Sequence, residues 1–262
     1  MEVARLARIR GHDVTLYEKE AELGGQVLLA ARLPRRDEIG GVARWLAREL
    51  ERIGVKTVLG TAVTAEQIAG LGADAVVVAT GASFLRSGLS GVLPAPIPGS
   101  DGDAAVTPEM ILRAELDPGP VVVILDTEGR EIAPGLAELL ASRGRKVTIV
   151  TAFPFVAPKL AEEVNLPHVY GRLFELGVEM LPNHWAKEIG RGEVALFNVY
   201  APTQERRLPA NHVVMVAARC PSDDLYVSLK GKVKELCRVG DCVAPGDIGT
   251  AMLDAHRLGR GL

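Results

Sequence analysis

The stretch that most constrains this chain is Val14-Thr15-Leu16-Tyr17-Glu18, followed by Leu23-Gly24-Gly25-Gln26. A short apolar, β-branched run ends in an acid, and a glycine turn then opens a helical segment. Ahead of it, Val3, Leu6 and Ala7 share one face of a helix that Gly11 ends. Helix, strand, acid and glycine turn form the second half of a βαβ unit. In such a unit the acid after the second strand accepts hydrogen bonds from a ribose hydroxyl. Glu18 takes that place, and Gly24 and Gly25 let backbone come close to a phosphate. A first strand and a G-x-G-x-x-G turn belong before the helix, and the sequence holds no residues for them upstream of Met1. The stretch reads as a nucleotide site without its phosphate cradle.

The 262 residues suffice for one large domain or two ordinary ones. A net charge of −3 gives no electrostatic case for nucleic acid or a membrane surface. Cys220, Cys237 and Cys242 form no C-x-x-C pair, which favours reduced thiols over disulfides, a redox motif or zinc ligands. No apolar run approaches the roughly 20 residues of a membrane span. Met1-Glu2 opens into no signal-peptide core, so the expected compartment is the cytoplasm.

A second helix is expected over 41–54, where Val42, Trp45, Leu46, Leu50 and Ile53 recur at helical spacing. A strand over 55–59 and a short helix over 64–71, capped by Thr64, follow. Residues 73–82 (ADAVVVATGA) read as a fully buried parallel strand running into a small-residue turn. The Pro- and Gly-rich stretch 83–118 reads as a crossover or domain boundary. The pattern then restarts. A strand at Val121–Leu125, a helix at Gly135–Ser142 and a strand at Lys146–Val150 repeat the βαβ order. A helix near 161–176, a β-rich region near 193–200, a buried strand over 213–218 and a tail strand 237–243 leading into a helix complete the chain.

Taken singly, each motif has a plain structural reading. Glu18 could be a solvated acid, Thr80-Gly81-Ala82 a tight strand exit, and Gly240-Asp241 a common turn dipeptide. Together, in order, they outline a dinucleotide groove, with Asp241 accepting from a hydroxyl and the next helix N-terminus facing phosphate. The histidines lack metal-ligand spacing, and no metal site is expected.

The stretches GHDVTLYEKEAELGGQV, AARLP, GTAVTAEQIAGLGADAVVVATGA, PIPG, APGLAELLASRGRKVTIVT, VVMVAAR and VGDCVAP carry a resemblance. The chain resembles the C-terminal region of the trimethylamine dehydrogenase, histamine dehydrogenase and 2,4-dienoyl-CoA reductase group. The resemblance implies an α/β fold of two Rossmann-like dinucleotide-binding domains of glutathione-reductase type, the first lacking its first strand and G-x-G-x-x-G loop. It divides the chain into an FAD/ADP-binding domain (1–118 plus 218–262) and an inserted NAD-type domain (119–217). It places Glu18, Gly24, Gly25, Gln26, Val63, Thr80, Gly81, Ala82, Gly240 and Asp241 around FAD or ADP, with Val63 at the adenine edge. FMN and a 4Fe-4S cluster are expected outside this chain, as are the residues that oxidise substrate. The implied partners are an old-yellow-enzyme-like barrel chain and an electron-transfer flavoprotein, with neither nucleic acid nor membrane, and an oligomer is compatible with this.

The second repeat separates the members of that group. After Val121–Leu125 the chain runs Asp126-Thr127-Glu128-Gly129-Arg130-Glu131, with three acids where a pyrophosphate would approach. The following strand ends in Thr151, which is neither an acid for a ribose nor an arginine for a 2′-phosphate. The expected function is therefore the FAD- or ADP-holding module of a flavin-dependent, iron–sulfur amine-dehydrogenase-type oxidoreductase. The alternatives are an NAD(P)H-dependent flavin reductase domain and a non-catalytic docking subunit.

Overall fold

The computed structural model describes residues 1–162 and 164–262. In chain order the elements begin with α1 (Glu2–Ile9), β1 (Thr15–Tyr17), α2 (Gln26–Ala30), α3 (Gly40–Arg52), β2 (Lys56–Val58), α4 (Ala65–Gly70), β3 (Ala75–Val78) and β4 (Ala82–Phe84). They continue with β5 (Ala105–Val106), α5 (Pro108–Leu112), β6 (Val121–Asp126), α6 (Ile132–Ala141), β7 (Lys146–Thr151), α7 (Lys159–Glu162), α8 (Leu166–Glu175) and β8 (Glu179–Leu181). The last are β9 (His184–Ile189), β10 (Glu193–Asn198), β11 (Ala201–Pro209), β12 (His212–Val216), β13 (Arg219–Pro221), α9 (Asp224–Leu229), β14 (Glu235–Arg238) and α10 (Ile248–Gly261). The chain divides into two compact units, Met1–Ser83 with Cys220–Leu262, and Phe84–Arg219.

The second unit is built on a parallel five-stranded sheet of order β5-β12-β6-β7-β8. Its central strands are continuous apolar runs because both faces are covered. On one face, α6 packs against β6 and β7 and α8 packs against α6. An Arg172–Glu138 ion pair at 3.0 Å ties α8 to α6. The other face carries Val123, Leu125, Val150, Val213 and Met215, which meet Trp185, Ala186, Val194 and Leu196 of an antiparallel sheet ordered β11-β10-β9. Period-two alternation sends these residues inward together. Residues 84–118, expected with the first domain, lie in this unit because β5 pairs with β12 and Ile97 joins the core between the two sheets.

One close approach in this unit fixes a glycine. Gly99 has φ +81°, and a Cβ there would lie 2.0 Å from the Ile189 carbonyl oxygen at the end of β9. The same contact brings the Ile189 N–H to the Pro98 carbonyl at 2.9 Å. Gly99→Ala must therefore move backbone, and it is expected to destabilise the protein by about 2–4 kcal/mol. Gly91→Ala, where a Cβ meets open space, should cost less than about 1 kcal/mol. Urea unfolding of the two variants compares them, and equal midpoints would refute the assigned contact.

The first unit is organised differently. Among the described residues β1 pairs only with β2, and β3 only with β14, both in parallel. Among the described residues no ladder joins the two ribbons. Apolar clusters accompany them. Ala4, Leu50 and Val55 form one with Val14 and Leu16, and Ala65, Ile68, Val78, Leu229 and Cys242 form another. This corrects the expectation of two Rossmann-like domains of glutathione-reductase type, because separate ribbons stand where one doubly wound sheet was expected. It also corrects the reading of residues 73–82 as fully buried. Only Val78 of β3 is buried, since a strand with one neighbour in a two-stranded ribbon keeps its flank open.

Local signals in this unit did translate into structure. The Thr64 hydroxyl accepts from the Gln67 N–H while the Gln67 side chain accepts from the Thr64 N–H, closing a capping box at α4. The helix expected near 161–176 is two helices, α7 and α8, and residue 163 lies outside the described residues.

Candidate functional site

All ten residues expected at the nucleotide groove fall in the first unit. Glu18 follows β1, and its N–H donates to the Val58 carbonyl at 2.9 Å, which holds the end of β1 against β2. Its Oε1 accepts from the Glu20 N–H at 3.0 Å. Gly25 precedes α2 with φ +51°, and a Cβ there would meet open space. Gly24 is different. A Cβ there would lie 2.8 Å from Ala43 and 2.9 Å from Leu28, so packing of the turn against α3 explains this glycine. Gln26 opens α2 and its side-chain amide donates to the Ala82 carbonyl. Ala82 itself is buried.

Thr80 and Gly81 follow β3. The Thr80 hydroxyl donates to the Ser222 carbonyl, and the Ser222 N–H donates to the Gly81 carbonyl at 2.9 Å. Gly240 and Asp241 follow β14, whose end lies beside that of β3 through the Val239 N–H to Val78 carbonyl bond of 3.0 Å. Asp241 Oδ1 accepts from the Gly246 N–H at 3.0 Å. Val63 packs on the cluster around Ile68 and Val78. The structure thus joins Gln26 to Ala82, and Thr80–Gly81 to Ser222, at the carboxyl ends of parallel strands. Glu18 Oε1, the Gln26 amide, the Thr80 hydroxyl and Asp241 Oδ1 each have a partner within the chain.

A second constellation lies at the carboxyl end of β6, in the other unit. Asp126 is fully buried. Its Oδ1 accepts the N–H groups of Glu128 (2.9 Å) and Gly129 (3.0 Å), while its Oδ2 is buried without a partner. Burial pushes the Asp126 carboxyl up to about 7, against the pull of the two N–H donors. Glu128 Oε1 lies 3.1 Å from the Arg219 guanidinium, and its Oε2 is buried without a partner. Burial raises the Glu128 carboxyl as well, opposed chiefly by Arg219 and Lys159. Gly129 takes φ +69°, where a Cβ would press on Phe153 and Pro158.

The sequence shows these acids but not their pairing, because Arg219 stands 91 positions from Glu128. The D-x-E-G order is the available signal, since an Asp that bonds its own backbone two residues on favours such turns. Among the described residues no group of three or more His, Cys, Asp or Glu side chains could hold a metal.

Comparison with known proteins gives this geometry a context. Residues 106–214 match the model of the OYE-like second alpha/beta domain. The chain is 33% identical to N,N-dimethylglycine/sarcosine dehydrogenase of Chromohalobacter salexigens over 98% of its own length and 42% of that protein's. It is 29% identical to dimethylamine dehydrogenase of a Hyphomicrobium species, over 99% of this chain and 40% of that one. Among solved structures it superposes with a TM-score of 0.94 on 6-hydroxypseudooxynicotine amine oxidase from Pseudomonas geniculata N1, at 30% identity, over 99% of this chain and 40% of that one.

The relatives are oxidoreductases, and the chain is related to enzymes of that class. It spans about two fifths of the length of the relatives it matches.

These findings correct three expectations. The assignment to a C-terminal FAD/ADP- and NAD-type region is overturned by the match of residues 106–214 to the OYE-like second alpha/beta domain. The glutathione-reductase type falls too, because NAD-dependent persulfide reductase from A. fulgidus superposes at only 0.61 and 18% identity. With them goes the function read from that assignment, a module holding FAD or ADP, together with its alternatives. What the relatives do carry is the kinship with amine dehydrogenases. No helix among the described residues is long and apolar enough to cross a membrane.

Proposed function

We propose that this chain is an α/β portion of an OYE-like oxidoreductase whose substrate is a small N-methylated amine. One observation carries the reading. The likeness to enzymes named for dimethylglycine, sarcosine, dimethylamine and an amine oxidase runs over almost the whole chain rather than through an isolated motif. Oxidation of an N-methyl group removes two electrons and a proton from the amine. Water then adds to the resulting iminium carbon, and formaldehyde and the demethylated amine leave. The complete enzyme supplies the electron acceptor, and no residue of this chain is assigned to the oxidation step. The chain contributes a scaffold in which the second unit is held by a doubly covered parallel sheet.

The test is a dye-coupled assay of the complete enzyme with dimethylglycine, sarcosine and dimethylamine. Dye reduction with an equivalent of formaldehyde from the N-methyl substrates is the expected result. Dye reduction by none of these amines, together with NADH-driven reduction of an alkene such as cinnamate, would overturn the proposal.

A further inference from the structure

Ligands of open parallel sheets bind outside the carboxyl ends of the strands, where the strand order changes direction. In the second unit that place is the end of β6, which leads through α6 to β7 on one side and has β12 on the other. A phosphate bound there would be held by the loop N–H groups between β6 and α6. In this chain those donors are taken. The N–H groups of Glu128 and Gly129 both point at Asp126 Oδ1, at 2.9 and 3.0 Å.

Two further acids reinforce the block. Glu128 turns its carboxylate onto Arg219 at 3.1 Å, so that guanidinium is already paired with an acid of the loop. Glu131 stands at the N-cap of α6, where its negative charge opposes an incoming anion.

We propose that Asp126 is the specificity-determining residue that closes this crevice to nicotinamide dinucleotides, its carboxyl group standing in the anion nest as a built-in substitute for phosphate. The block is first a matter of occupancy and only second of charge. Asp126 is fully buried and its Oδ2 has no partner, so the side chain is held by the two N–H groups rather than by solvent or a counter-ion. Gly129 at φ +69° lets the loop curl tightly enough to aim both donors at one oxygen. The inference deepens the proposed function, since an enzyme that takes electrons from an amine has no need of NADH at this site.

Calorimetric titration of NADH at pH 8 tests it on the full chain with three proteins. The wild type should show no binding at millimolar NADH. Asp126→Asn keeps the nest filled while removing the charge, and it should also show none. The double variant Asp126→Ala with Glu128→Ala empties the nest and removes the loop acid paired with Arg219, and its affinity should rise at least tenfold above the wild-type detection limit. Should that variant fail to fold by circular dichroism, Asp126→Ser alone reads the release of the two N–H donors, with the Glu128–Arg219 pair left in place. Micromolar binding by the wild type, a gain of binding in Asp126→Asn, or a folded truncation variant that still binds nothing would each overturn the proposal. Amine oxidation is not read in this titration, so its failure and a failure of the proposed function are separate results.

Discussion

Replacing Asp126 by Asn should stabilise the protein at pH 8 and change little at pH 4. The buried carboxyl has its pKa raised to about 7, against 3.8 for the ordinary group. A carboxyl that binds its proton more tightly when folded contributes stability that is full below the unfolded value. That stability is lost as pH rises through the folded one. The window of loss therefore runs from about pH 4 to just above pH 7. The rise from 3.8 to about 7 corresponds to roughly 4 kcal/mol as an upper bound.

Glu128 and Lys159 face Asp126 and act in opposite directions, the first raising and the second lowering its pKa. Asn preserves the acceptor for the two N–H groups and places a neutral amide where Oδ2 is buried. Asp126→Asn should thus gain about 2–4 kcal/mol at pH 8 and close to nothing at pH 4. Denaturant unfolding across pH checks this, and equal gains at both values would show that burial of the charge is not the cause.

The second large effect lies between the units. In β6 and β7 five of six residues are buried, and each strand has a neighbour on both sides. In β1 no residue is buried, in β3 only Val78 is, and each strand has one neighbour. Local opening is easiest where few apolar contacts hold the backbone. Amide exchange over residues 15–17 and 75–78 should therefore exceed that over 122–126 and 147–151 by at least about a hundredfold. Hydrogen–deuterium exchange read by mass spectrometry of the full chain decides this. Uniformly slow exchange across all four segments would contradict it.

The parts of the fold legible in the sequence are those set by local chemistry. The run Val121–Leu125 reads as a buried strand because a sheet covered on both faces needs an unbroken apolar strand, and it is the centre of one. Thr64 reads as a cap because its hydroxyl satisfies an orphan N–H at three residues' distance.

Long-range pairing was not legible. Residues 75–78 have the composition of a central strand, yet burial depends on neighbours that composition does not specify. The Pro- and Gly-rich stretch 83–118 reads as a crossover or domain boundary, but Ile97 and Ala105 are core residues of the second unit. At the expected groove, Gly24 packs so close to Ala43 and Leu28 that a Cβ would meet both, a contact the sequence does not reveal. The acids at the end of β6 were visible as unfavourable to phosphate. Their burial, the shared N–H donors and the distant Arg219 were not.

The account rests on Asp126 sitting buried in the anion nest at the end of β6. Carbon-13 NMR of its carboxyl carbon, assigned by its loss in Asp126→Asn, tests this most directly. The predicted result is a titration midpoint near 7 that millimolar NADH leaves unmoved. A midpoint close to the ordinary 3.8, or one displaced by NADH, would place the side chain in solvent or in contact with ligand and contradict the account.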